Sequence, residues 1–382
     1  LEDLVITSSS FGGAFYGRRV LVTGHTGFKG AWLSAWLLKL GAEVFGYSLG
    51  IPTQPSIFEL CGLEERLKHE LGDIRDRQRL GASVKSFRPD FVIHMAAQAI
   101  VSEAYVNPVE TVSSNVLGTA CVLDALRAVD WPCSVVIVAS DKCYENREWP
   151  WGYRENDRMG GKDVYSASKG AAEIIFSSFY RSFFQQQGCS VRLATARAGN
   201  VIGGGDWAKD RIVPDCIRAW RTGEKVHLRS PASIRPWQHV MEPLSGYLAL
   251  AEALSRHSAF NGESFNFGPI DEQNHTVLEL LTDLARVWGF QDPSRGYDIM
   301  DEIPFHEATL LKLSCDKAAR SLRWRPTLTY KEGMAMTGSW YRDVVRDSHD
   351  AWTATSNQID AYEALAHGRD SSWRDGVPAP VS

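Results

Sequence analysis

Two groupings in this chain have the residue types and spacing of proton-transfer machinery. Tyr165 and Lys169 stand four positions apart in a stretch read as a helix, so both side chains leave one face. An ammonium beside a phenol stabilises phenolate, and a phenol so lowered is a base for a hydroxyl proton. The spacing alone occurs by chance in many helices. Its place after an apolar strand, downstream of a glycine-rich turn, carries the functional reading. The second grouping is Ser140-Asp141-Lys142, a hydroxyl and two ionisable groups just beyond the apolar run Val135 to Val138. Were Asp141 to serve as acid and Lys142 as base, the first would have to be protonated and the second neutral, whereas an adjacent Asp and Lys favour the opposite charges. Burial pushes both in the needed direction, and the two can exchange one proton as a coupled unit. Neighbouring residues of an extended strand point to opposite faces, so the strand has to end or bend at Asp141 for both to face one substrate. The alternative is an ion pair at a strand end on the surface.

A third grouping reads as a phosphate loop. Thr23-Gly24-His25-Thr26-Gly27-Phe28-Lys29-Gly30 is a GxxGxxG run between a predicted strand, Val20 to Val22, and a predicted helix, Ala31 to Leu40. Gly24, Gly27 and Gly30 permit the tight turn, and the N–H groups around Thr26 and Phe28 can approach a pyrophosphate at the helix N-terminus. Many dinucleotide sites place an acid after the second strand to hold the ribose; this chain offers Tyr47 and Ser48. No Arg stands beside them for a 2′-phosphate, which favours NAD over NADP. Asp73, followed by Ile74, offers a carboxylate for the adenine amino group, or is an ordinary turn aspartate.

These groups need a scaffold that brings strand ends together. From Arg18 short apolar runs alternate with helical periodicity, the pattern of βαβ units and a parallel sheet buried on both faces. Strands are predicted at 44–47, 90–94, 134–139 and 191–196, and long helices at 111–129 and 165–184. The fold class is α/β, a doubly wound parallel sheet (Rossmann) with a smaller C-terminal substrate-binding lobe. The divisions expected are a lead over 1–15, a dinucleotide-binding domain over 16–200 and a substrate-binding lobe over 201–346 with some segments returning to the first domain. Residues 347–382 are polar and read as a tail or peripheral helix.

With 382 residues, 44% of them apolar, the chain can bury a substantial core. A formal net charge of −5 argues against nucleic acid as a partner. Seven scattered cysteines, without CxxC spacing, indicate neither a zinc site nor a disulfide framework, and reduced thiols in the cytoplasm are the expectation. Leu1 to Phe15 has the wrong charge order for a secretory signal, and no apolar run approaches the roughly 18 residues of a membrane span. The 13 tryptophans suit core packing, or in part carbohydrate contact.

The chain resembles the extended short-chain dehydrogenase/reductases, on Thr23 to Gly30, His94-Met95-Ala96-Ala97-Gln98, Tyr165 with Lys169, and Arg197-Ala198-Gly199-Asn200-Val201, across most of 16–340. The resemblance implies that Tyr165 is the base on the reacting hydroxyl, that Lys169 lowers its pKa and holds the nicotinamide ribose, and that Ala96, Ala97 and Gln98 lie near the cofactor. Within that superfamily, epimerases usually carry small hydroxyl residues at 139–146. Ala139-Ser140-Asp141-Lys142-Cys143-Tyr144-Glu145-Asn146 is instead similar to nucleotide-sugar 4,6-dehydratases. dTDP-glucose enzymes typically carry Asp-Glu here. Asp141-Lys142, with Trp149 to Glu155 and Gly203 to Ala208, looks like the CDP-glucose 4,6-dehydratases.

That likeness implies oxidation at C4 of the glucose, loss of water across C5 and C6, and hydride return to C6, with NAD a retained cofactor. Lys142 takes the C5 proton, Asp141 protonates the departing C6 hydroxyl and Ser140 hydrogen-bonds the C4 oxygen. Asn200 approaches the sugar diphosphate of a CDP-glucose-like substrate, Arg235 clamps it, and Arg211 is a lesser candidate. The helices at 111–129 and 165–184 correspond to those through which related enzymes form homodimers. His239 and His306 are left as structural or peripheral. Ala139-Ser140 and Ser314-Cys315-Asp316 depart from the commoner pattern. Two rivals remain: a nucleotide-sugar 4-epimerase and a non-catalytic dinucleotide-binding sensor.

Overall fold

The computed structural model describes residues 10–228, 230–269, 275–300, 311–369 and 371–377; His306 lies outside them. Seven parallel strands form one sheet: β1 (Arg19–Thr23), β2 (Glu43–Ser48), β3 (Lys68–Leu71), β4 (Phe91–His94), β5 (Cys133–Val138), β6 (Val191–Ala198) and β7 (Ser264–Phe267). Their order is β7-β6-β5-β4-β1-β2-β3. The central strands are runs of Val, Ile and Leu because helices cover both sheet faces. Strand order reverses between β1 and β4, where Thr23 is in register with His94. The Thr23 hydroxyl stands 2.7 Å from His94 Nδ1 and accepts from the amides of Met95 and Ala96 at 3.1 and 3.2 Å. The crevice at this reversal is the usual ligand site of such sheets.

The helices follow from the apolar periodicity: α1 (Phe28–Lys39), α2 (Arg77–Phe87), α3 (Gly118–Leu126), α4 (Val164–Phe179), α5 (Ile212–Arg221), α6 (Met241–Arg256), α7 (Val277–Trp288), α8 (Tyr330–Tyr341) and α9 (Ala351–Gly368). One sheet face is covered by α1 and α6, the other by α2, α3 and α4. The helix expected at 111–129 begins earlier, at Pro108, and passes through a π turn, Ser113–Leu117, before α3. A second π turn, Tyr180–Phe184, continues α4.

Two strands were invisible to sequence patterning. β3 is an edge strand of mostly polar, half-exposed residues, and β7 is only four residues long. β7 comes from beyond residue 200 and pairs with β6, Phe267 opposite Ala198. α6 also rejoins the sheet, buried at every residue from Met241 to Leu254. Of the expected tail or peripheral helix beyond residue 346, the described residues include the helix α9, which has a buried inner face. Ile359, Tyr362 and Ala366 of α9 are fully buried, and Glu363 accepts from the Trp36 indole of α1 at 2.7 Å. Trp373 stacks on Phe11 at 4.9 Å, so the two ends of the described chain share one core. Trp32, Trp36, Trp324, Trp340 and Trp373 are all fully buried, which makes packing their role. No described helix is long and apolar enough to cross a membrane.

Candidate active site

The phosphate loop closes where glycine is obligatory. Gly24 has φ +78°, and a Cβ there would stand 2.8 Å from the Ala96 amide nitrogen. A Cβ at residue 30 would stand 2.1 Å from the Gly24 carbonyl oxygen. Gly27 is the N-cap of α1 and offers no side chain, so the first-turn amides of Phe28, Lys29 and Gly30 are left for an anion. This cradle fits a dinucleotide pyrophosphate. Thr26 is buried, its hydroxyl donating to the Gly50 carbonyl at 2.6 Å, so it shapes the loop.

The side chains of Tyr47 and Ser48, which end β2, both turn inward. The Tyr47 hydroxyl donates to the Asp73 carbonyl at 3.2 Å, and Ser48 Oγ lies 2.9 Å from His25 Nδ1. His25 is itself buried, its imidazole pushed down to about 3 by burial and by His69, and it fits only because residue 46 is glycine. Asp73 receives the Arg75 fork, Nε to Oδ1 at 2.9 Å and Nη2 to Oδ2 at 2.6 Å, and the Arg75 amide at 2.8 Å. Hydrogen bonding by Arg75 holds that carboxyl below its usual range, and an adenine amino group would have to share it. Ile74 is buried against Gly118.

Beyond β4, Ala96 and Ala97 line a small cavity with Asn115 and Lys169. Asn115, in the first π turn, was not found by sequence reasoning, since an isolated Asn on a helix carries no signal. Its side chain accepts from the Gln98 amide at 2.8 Å and donates to Ser168 Oγ at 2.9 Å, joining the Gln98 loop to α4.

α4 begins with an Asp163 cap, which accepts from the Ser166 amide at 2.9 Å and sets Tyr165 in the first turn, Lys169 in the next. Both are 7% exposed, with the ammonium 5.8 Å from the Tyr165 ring centroid. Burial lowers Lys169 to about 8. The phenol departs from expectation: burial, then the Asp141 charge, push it up to about 12, and the Ser140 hydroxyl draws it back.

β5 ends at Val138, and a 3-10 turn, Asp141–Cys143, follows. Ser140 caps that turn, accepting from the Lys142 amide at 3.2 Å and donating to Asp141 Oδ1 at 2.9 Å. The bend required at Asp141 is therefore present. Asp141 is 4% exposed and Lys142 half-buried, so the pair is not a solvated surface bridge. Burial raises the Asp141 carboxyl, with Lys142, Ser140 and Lys29 opposing. Beneath the turn, the Tyr144 hydroxyl donates to Asn266 at 2.8 Å and accepts from Arg197, whose guanidinium is paired with Glu173 at 2.7 Å.

Asn200 is half-buried on the loop after β6. Arg211 binds Asp206 at 2.9 Å, and its charge acts on both Tyr165 and Lys29. Arg235 lies on a short strand pair with His275, next to Pro236, which faces Gly199 beside Asp141. His239 is buried and kept neutral, lowered to about 3 by burial.

A dinucleotide crevice at the strand reversal, with a buried Tyr/Lys pair on its rim, places the chain among the extended short-chain dehydrogenase/reductases. Within that class it belongs to the GDP-mannose 4,6 dehydratase family, whose profile matches residues 21–337. It is 47% identical over 351 residues to the CDP-glucose 4,6-dehydratase of Salmonella typhimurium, covering 91% of this chain and 96% of that protein. Identity to the dTDP-glucose 4,6-dehydratase of Streptomyces antibioticus is 30% over 280 residues, 71% of this chain and 75% of that one. The dTDP-glucose 4,6-dehydratase of Streptomyces venezuelae, solved with NAD, has TM-score 0.72 at 22% identity, covering 87% of this chain and 99% of its own. The UDP-glucose 4-epimerase of Thermotoga maritima has the same TM-score, 0.72, at 20% identity and covers 86% and 99%. The fold therefore does not separate dehydratase from epimerase.

Proposed function

We propose that this chain is an NAD-dependent hydro-lyase, a CDP-glucose 4,6-dehydratase that converts CDP-D-glucose to CDP-4-dehydro-6-deoxy-D-glucose. One observation carries the reading: Asp141, the acid an epimerase does not need, is buried at the end of β5 within the electrostatic reach of Tyr165. The 47% identity to an enzyme named for that activity supports the choice of nucleotide.

When bound, the nicotinamide supplies the hydride chemistry, removal from C4 and return to C6. Tyr165 takes the C4 hydroxyl proton, Ser140 hydrogen-bonds that oxygen, and the Lys169 ammonium stabilises phenolate. The C4 ketone acidifies the C5 proton, which Lys142 takes. Asp141, whose carboxyl burial raises, gives its proton when neutral to the C6 oxygen and water leaves. Neutral Asp141 also ceases to raise the Tyr165 phenol, so one protonation serves acid and base together. Gly24, Gly27, Gly30 and the α1 amides hold the pyrophosphate, with Asp73, Ile74, Ala96, Ala97 and Gln98 along the dinucleotide. Asn200, Arg211 and Arg235 take the substrate diphosphate, for which the Arg fork is suited.

The protein acts as a homodimer in the cytoplasm. Tyr105, Val106 and Val109 are 73 to 81% exposed and lie with Val112, Leu117 and Ile174 on the helices leading to α3 and on α4, an apolar surface suited to a second copy. With CDP-glucose and NAD, mass spectrometry is expected to find product lighter by one water, carrying one deuterium at C5 when made in deuterated water. Product retaining every sugar oxygen would select a 4-epimerase. Turnover of no nucleotide-glucose donor would leave a dinucleotide sensor.

A further inference from the structure

α4, with Tyr165 and Lys169, packs on the turn that holds Asp141. The Asp141 charge is also felt by a lysine on α1 and a tyrosine on α6 that the scheme above does not use. Lys29, in the first turn of α1, is half-buried with its ammonium 6.0 Å from the Tyr247 ring centroid on α6. After burial, which lowers it to about 8, the charges it feels are Arg211, Asp141, Lys169 and Asp206. Asp141 and Lys169 belong to the reacting end, and Arg211 is paired with Asp206 at 2.9 Å.

Tyr247 is fully buried, its hydroxyl without a hydrogen-bond partner among the described residues, and it too feels the Asp141 charge. Asp141 Oδ2 is likewise buried and unpartnered. The space beside it exists because residue 199 is glycine, whose Cβ would stand 3.1 Å from that oxygen. Unpaired buried polar atoms are rare and costly in folded proteins. Here a carboxylate oxygen and a phenol are both left open, and the Lys29 ammonium beside the Tyr247 ring feels the Asp141 charge.

We infer that Lys29 is a positioning residue for the elimination step: its ammonium orients Asp141 and stabilises the carboxylate formed as Asp141 protonates the departing C6 oxygen. The inference rests on the dehydratase reading. In that step the C5 proton passes to Lys142 and its electron pair forms the C5–C6 double bond. The C6–O bond breaks, Asp141 supplies the proton, and water departs. Asp141 goes from neutral to anionic, and a fixed cation nearby favours the anion. The hydride step places no new charge on Asp141, so Lys29 is not required there.

The test compares full-length wild type, Lys29→Met and Lys29→Arg with CDP-glucose and NAD. Lys29→Met is expected to lose about tenfold or more in kcat with little change in KM or NAD affinity. Reduced nicotinamide should accumulate optically in the first turnover, because C4 oxidation then outruns elimination. Lys29→Arg should restore most of the rate. With a CDP-6-deoxy-6-fluoroglucose donor, whose fluoride departs with less need of a proton, the Met defect should shrink. Lys29→Gln, which removes only the charge, gives the same reading if the Met variant does not fold. Unchanged kcat, weakened NAD binding as the sole defect, or an equal loss with the fluoro donor would overturn the role. A wild type that dehydrates no nucleotide-glucose removes the proposed activity and this role with it; a normal wild type with an indifferent Lys29→Met removes this role alone.

Discussion

The side chain that Gly30 lacks would meet the Gly24 carbonyl oxygen at 2.1 Å. That oxygen is backbone, already accepting from the Gly27 amide at 3.1 Å, and has no flexible end to swing away. Gly30→Ala is therefore expected to open the loop, at about 1–3 kcal/mol of stability. The stabilisation of the protein by added NAD should largely vanish. A thermal melt with and without NAD checks it, and an unchanged NAD-induced shift would contradict the loop assignment.

Asp141→Asn fixes this position in an uncharged form, so the rise of the Tyr165 phenol that an ionised Asp141 causes cannot occur. C4 oxidation, followed as reduced cofactor in a single turnover, should then match wild type at low pH, where Asp141 is neutral, and exceed it at pH high enough to ionise Asp141. Net dehydration should drop by about 10²–10⁴-fold for want of the acid. A pH–rate series on both proteins reads the two effects separately.

Lys142→Ala is expected to bind NAD as wild type does while losing dehydration and deuterium uptake at C5. An active variant removes Lys142 from the base role.

The Glu173–Arg197 pair is almost wholly buried and also carries Thr195 and Tyr144. Glu173→Ala leaves a guanidinium without its partner, and breaking such a pair costs about 3–5 kcal/mol. Denaturant titration should show that loss, with Tyr144→Phe far milder.

Glu242 sits under the C-terminal region, accepting from the Thr327 and Leu328 amides at 2.9 and 2.6 Å and from Tyr362 at 3.0 Å. Burial raises its carboxyl from 4.5 to about 7. The folded state thus binds this proton more tightly than the unfolded chain. Its contribution is full below about 4.5 and is lost as pH rises through about 7. Denaturation midpoints across pH 5–8 should fall more steeply with pH in wild type than in Glu242→Gln.

The chemistry-bearing doublets were legible in the sequence because they are local. Strand, GxxGxxG turn and helix follow one another directly, and YxxxK needs only one turn of helix to share a face. The apolar runs of β1, β4, β5 and β6 announced the parallel sheet for the same reason: burial on both faces leaves no polar alternation. Tertiary structure decided whatever depends on packing across the chain. It turned Tyr47 and Ser48 inward, gave Asp73 to Arg75, and folded α9 against α1 through residues too sparse in apolar pattern to read as core. It also brought Lys29, Tyr247 and Asp141, from three distant segments, within electrostatic reach of one another. Charge and burial at Asp141 are properties of the assembled fold, and no spacing along the chain encodes them.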